Sequence, residues 1–125
     1  MACRKNSAMP HTLPPPSRGE VWLADLMPTR GHEQSGRRPV LIVSVDLFNQ
    51  GPADLVIVAP VTATTRPIRY HVRVEPPEGG LKKPSDILCE AVRSISKERL
   101  VERWGKLTPE HFAEVEDRLR ILLGL

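Results

Sequence analysis

Arg38 ends the polar segment 31–38 (GHEQSGRR) and leads straight into an apolar run, so its guanidinium is expected at the mouth of a rigid strand. A guanidinium placed there can hold a phosphate through two parallel hydrogen bonds, and Pro39 behind it restricts its backbone. An edge ion pair with Glu33 or Asp25 competes with that reading, and spacing alone slightly favours the ion pair. Thr62 follows Pro60 and Val61 at the end of a second apolar run, with Thr64, Arg66 and Arg69 close behind. Its hydroxyl can bond a phosphate oxygen, although a turn threonine more commonly bonds its own backbone. An unperturbed histidine titrates near pH 6.5, so His32 suits a proton carrier, and equally a solvated loop residue. Lys82 and Lys83 lie in a glycine- and proline-rich loop where phosphate contacts and plain surface charge are both reasonable.

Other chemistries find little support. The histidines, His11, His32, His71 and His111, show no HxxxH spacing, and Cys3 and Cys89 form neither a CxxC pair nor a disulfide framework. No metal and no cofactor is therefore expected, and no phosphate-loop or GxSxG motif is present. Aromatics are scarce, so an extensive base-stacking platform is not expected. No apolar stretch reaches the roughly 20 residues of a membrane span, which points to the cytoplasm. The formal charge is +3 over 125 residues. Arg30, Arg37, Arg38, Arg66, Arg69 and Arg73 outnumber Glu33, Asp46 and Asp54 in the middle of the chain, whereas the last residues are acidic. A basic middle and an acidic end suit a polyanion-binding face, or an ordinary solvated surface.

The elements that must position these groups read as short strands. Residues 1–17, with Pro10, Pro14, Pro15 and Pro16, carry too little apolar surface to offset ordering and are expected to be a disordered tail. Residues 18–125 then form one domain. Strands are expected at 20–26, 39–45, 55–61, 69–74, 85–95 and 100–106, with a helical turn at 96–99. Pro60 predicts a bulge or strand end, and the alternation at 69–74 predicts one basic face of Arg69, His71 and Arg73. Thr108, Pro109 and the spacing of Phe112, Val115, Leu119 and Leu122 predict a helix closed by Gly124. No crossover helix precedes it, which excludes a parallel fold. A small half-open antiparallel β-barrel with a C-terminal helix follows.

The segments RGEVWLADL (18–26), GHEQSGRRPVLIVS (31–44), VTATT (61–65) and AVRSISKERL (91–100) are similar in order and spacing to the MazF/PemK/Kid toxins of toxin–antitoxin pairs. The resemblance implies an SH3-like barrel, a homodimer, and metal-independent, sequence-selective cleavage of single-stranded RNA through its own 2′-hydroxyl. It implies silencing by a cognate antitoxin, and operator DNA binding only through the antitoxin complex. Mapped onto this chain, Arg38 would stabilise charge on the phosphorane and Thr62 would hold a non-bridging oxygen. Glu33 would serve as base or hold the arginine, and His32 would add an acid or base. Arg30, Arg37, Thr64, Arg66, Arg69, Lys82 and Lys83 would contact the RNA.

Two positions depart from the family pattern. His32 stands where many relatives have serine, and Ala91 where many have glutamine, so altered cleavage specificity is expected. A non-catalytic toxin of the same fold that inhibits DNA gyrase, as CcdB toxins do, and an inactive antitoxin-binding co-repressor are the competing readings. Intact Arg38 and Thr62 favour the enzyme. Trp22, Trp104 and the C-terminal helix are expected to supply apolar surface for a dimer.

Overall fold

The computed structural model describes residues 14–26 and 36–125. The strands are β1 (Glu20–Asp25), β2 (Arg37–Ile42), β3 (Leu55–Thr62), β4 (His71–Val74), β5 (Ser85–Leu88), β6 (Arg93–Ser96) and β7 (Leu100–Lys106). A one-turn helix, α1 (Asp46–Asn49), follows β2, and α2 (Pro109–Leu123) ends the chain. The seven-stranded sheet has the order β4–β5–β3–β2–β1–β7, with β6 also on β3. Every pairing is antiparallel. Its two ends do not pair, so the expected half-open barrel with a closing helix is the architecture found.

Why the central runs are apolar throughout follows from the two-residue period of a strand, which sends neighbours to opposite faces. Val21, Leu41, Val43, Ala59 and Val61 enter one cluster, where Val115, Phe112 and Leu119 of α2 also pack. Trp22, Ala24, Val40, Ile42, Val56 and Val58 enter a second cluster with Ile95 and Leu100. Each large aliphatic side chain buried this way stabilises the fold by about 1.5–3 kcal/mol. Trp22, expected at a dimer surface, is 1% exposed and belongs to the second cluster. A large ring on a central strand is more stable inside a core than facing water, and that outweighs the surface reading.

Three local expectations change. The predicted strand at 85–95 is two strands, β5 and β6, separated by a 3-10 turn at Cys89–Ala91. Both lie along one side of β3: Leu55–Val58 pairs with β6, and Val61–Thr62 pairs with β5. Pro60 is neither a bulge nor a strand end, because β3 runs on to Thr62 and Pro60 pairs with Val40 of β2. It occupies the interval where β3 exchanges β6 for β5, a place with no cross-strand partner on that side and so no ladder bond for its missing N–H to break. The basic face expected from 69–74 is also changed, since β4 begins only at His71 and Asp86 of β5 lies opposite Arg73.

The closing helix follows its local signals. Thr108 accepts a hydrogen bond from the His111 N–H at 3.2 Å, and Gly124 takes the left-handed conformation at φ 72°. Glu78 ties the helix start to the turn before β5 by accepting the Thr108 N–H at 2.8 Å and lying 2.8 Å from His111 Nδ1. No helix among the described residues is long and apolar enough to cross a membrane. Of the predicted tail, residues 1–13 lie outside the described residues. Ser17 joins the domain by donating its N–H to Glu20 Oε1 at 2.8 Å.

Candidate functional site

The first strand pair to consider is β2 with β3, because Val40 lies opposite Pro60. Continuing that register by two residues sets Arg38 opposite Thr62, on the same face of the sheet. Arg38 is exposed, and among the described residues no hydrogen bond or ion pair engages its side chain. Of the two acids that could have held it at the edge, Asp25 lies beside Arg37 instead, with Arg37 Nε 4.0 Å from Asp25 Oδ2 across the β1–β2 pair, and Glu33 lies outside the described residues. Thr62 Oγ1 accepts the Thr64 N–H at 3.1 Å. The turn role and the phosphate role are compatible, since a hydroxyl that accepts a bond keeps its proton for donation.

Arg38 and Thr62 line two hollows. The first, of about 430 Å³, is also lined by Arg66, Ile68, His71 and Glu90. Its wall is braced from behind by Asp86, which is 1% exposed and paired across the sheet with Thr62 and Arg73. Asp86 accepts from Arg73 Nε at 2.6 Å and from the Arg66 N–H at 2.8 Å, and its Oδ2 lies 3.2 Å from His71 Nδ1. Burial alone would raise this carboxyl, but those hydrogen bonds and the Arg73 charge outweigh it and hold it below the usual aspartate value. The other nitrogen of His71 lies 2.8 Å from Glu90 Oε2. The second hollow, of about 300 Å³, is lined by Arg37, Lys82, Lys83, Ser85 and Trp104 besides the shared pair. Among the described residues no carboxylate lines it.

A ridge bearing a guanidinium with no partner among the described residues and a hydroxyl donor, with a hollow on either side, is a geometry for one phosphate of an extended chain. Comparison with known proteins identifies the family. The family model described as PemK-like, MazF-like toxin of type II toxin–antitoxin systems matches residues 17–123. The chain belongs to this toxin family. Among solved structures, MazF from Deinococcus radiodurans is 31% identical, with a TM-score of 0.73 over 88% of this chain and 97% of that one. The MazE–MazF complex from the same organism gives 30% identity and a TM-score of 0.76, covering 89% and 97%. An endoribonuclease from a mycobacterial species gives 25% and 0.72, covering 90% and 95%.

Set on this toxin fold, the sequence-derived residues divide into groups. Arg38, Thr62, Thr64 and Arg66 meet at the first hollow, and Arg37, Lys82 and Lys83 at the second. Arg69 lines neither; it is exposed, and its carbonyl accepts from Arg118 Nε at 3.2 Å. Arg30, His32 and Glu33 lie outside the described residues. Residues that the sequence reading did not assign to the site are His71, Glu90 and the positioning Asp86, together with Trp104, which it expected at a dimer surface. The signal for Asp86 was an acid beside Ile87 in a strand, which needs buried partners, but only the β4–β5 register reveals that His71 and Arg73 supply them.

Proposed function

We propose that this chain is the toxin of a type II toxin–antitoxin pair and acts as a metal-independent endoribonuclease on single-stranded RNA. The observation that carries this reading is the Arg38–Thr62 ridge between two hollows. In the reaction the RNA 2′-hydroxyl gives up its proton and its oxygen attacks the adjacent phosphorus. The P–O5′ bond breaks, and the departing 5′-oxygen takes a proton, leaving a 2′,3′-cyclic phosphate and a 5′-hydroxyl. Arg38 faces the charge that gathers on the equatorial oxygens and can supply the leaving-group proton, and Thr62 donates to a non-bridging oxygen. Glu33 enters through the family motif, as base or as a holder of the arginine, and His32, which departs from that motif, adds an acid or base. Arg30, Arg37, Thr64, Arg66, Arg69, Lys82 and Lys83 carry neighbouring phosphates.

The solved MazE–MazF complex supports a cognate antitoxin as partner, and the mycobacterial endoribonuclease supports the activity. A homodimer, operator binding only through the antitoxin complex and a cytoplasmic location complete the proposal. Val45 before α1, Leu47 within it, and Ile121, Leu123 and Leu125 at the end of α2 are, with Ile57 and Ile68, exposed apolar groups open to such partners. The test is incubation with a long single-stranded RNA in EDTA, beside Arg38→Ala. Discrete cuts with 5′-hydroxyl ends, lost in the variant, are expected. Intact RNA with a folded protein that still arrests growth would overturn the nuclease and favour the gyrase-type module.

A further inference from the structure

The second hollow has a feature that phosphate binding does not require. Val21 pairs with Gly105 and Trp22 with Arg103, so Trp104 is the extra residue of a β-bulge in β7. A bulge redirects a side chain out of the regular alternation, and here Trp104 is half-buried, packed against the core and lining the hollow. Its backbone is pinned. A Cβ on Gly80 would lie 2.2 Å from the Trp104 carbonyl oxygen, and one on Gly105 would lie 2.6 Å from the Gly79 carbonyl carbon. Gly79 and Gly80 both have positive φ, 68° and 72°, so the turn before β5 fits against the bulge only as glycines. The Lys82 ammonium lies over the indole, 5.2 Å from a ring centroid.

From this arrangement we infer that the second hollow is a nucleotide subsite, in which one base of the RNA flanking the scissile phosphate stacks on Trp104. The inference rests on single-stranded RNA being the substrate. A volume of about 300 Å³ is at the small end for ligand clefts, which suits one nucleotide. The incoming base takes the place of the Lys82 ammonium on the ring. Lys82 and Lys83 then turn to the phosphate, and because every base has a stacking face the subsite grips without demanding a sequence.

The test uses the full-length protein and a random-sequence pool of 2′-O-methyl oligoribonucleotides, which lack the attacking hydroxyl and stay intact. Trp22 is 1% exposed, so quenching of tryptophan emission on binding reports Trp104. Expected are quenching in the wild type, binding roughly 10- to 100-fold weaker in Trp104→Ala, and near-normal binding in Trp104→Phe. With cleavable RNA, Trp104→Ala should raise KM more than it lowers kcat. If Trp104→Ala does not fold, quenching and Trp104→Phe decide, and a wild-type complex without quenching overturns the subsite. So does unimpaired binding and cleavage by folded Trp104→Ala, which leaves the nuclease standing. RNA that is bound with quenching but never cut supports the subsite and overturns the nuclease.

Discussion

The two hollows beside Arg38 and Thr62 are held open in opposite ways. The first is built from charge satisfied within the protein: Asp86 collects bonds from Arg73, Arg66 and His71, and Glu90 takes the far side of the His71 ring. The second is lined by lysines and an indole, with no carboxylate among the described residues of its wall, although the indole N–H reaches Glu102 at 3.4 Å. Side chains fixed by hydrogen bonds on several sides present donors and acceptors in set directions, the requirement for telling one base edge from another. Lysines and an indole attract any nucleotide. Under the proposed function, the contrast gives discrimination to the first hollow and retention to the second, with the reacting phosphate between them.

The largest effect belongs to the residue both hollows share. Arg38→Ala should lower single-turnover cleavage by about 100-fold or more, and Arg38→Lys should recover little of it, because an ammonium lacks the two-pronged fork. Growth arrest on expression should disappear in parallel. Cleavage by the alanine variant at the wild-type rate would remove the ridge from the mechanism.

Next comes the brace. Asp86→Ala strands three donors and should cost about 3 kcal/mol of stability in urea unfolding. Lys82→Ala and Lys83→Ala, at exposed sites, should change stability by less than about 0.5 kcal/mol while weakening RNA binding. Equal stability losses on the two sides would erase the distinction between them.

Acid should loosen the brace, together with two carboxyls elsewhere. Burial would raise the carboxyls of Asp86, Glu20 and Glu78, but the hydrogen bonds they accept outweigh it and hold all three low. A carboxyl depressed on folding contributes stability that is fully present above its unfolded value, near pH 4, and is lost as pH falls toward the folded value. Unfolding free energy should therefore be level in this respect above about pH 5 and decline below about pH 4, less steeply in Asp86→Asn.

A smaller change is expected from Ala91→Gln, in the turn that carries Glu90 to the first hollow. Restoring an amide there should shift the preferred cut site with little change in overall rate, and identical cleavage maps would remove that hollow from base selection. The smallest effect is a null one. Burial and the neighbouring Glu90 push the Cys89 thiol up to about 11, so a thiol reagent at pH 7 should leave it unmodified until the protein unfolds.

What the sequence by itself determined was local. Apolar runs gave β2 and β3, and the Thr108–Pro109 start with Gly124 at the end gave α2, because capping and strand periodicity are decided within a few residues. Arg38 and Thr62 stood out as polar groups at the ends of buried strands, but spacing alone favoured an ion pair and a turn bond, and only the resemblance to the toxin family made them site residues. The tertiary structure decided everything that depends on register. The β2–β3 register, continued by two residues, sets Arg38 opposite Thr62, and the β1–β2 register gives Asp25 to Arg37. The β4–β5 pairing turns an apparently basic strand into a brace around Asp86. One extra residue in β7 moves Trp104 from the regular alternation to the wall of a hollow. Register is fixed by contacts between segments far apart in the chain, and a shift of one residue would send each of these side chains to the other face.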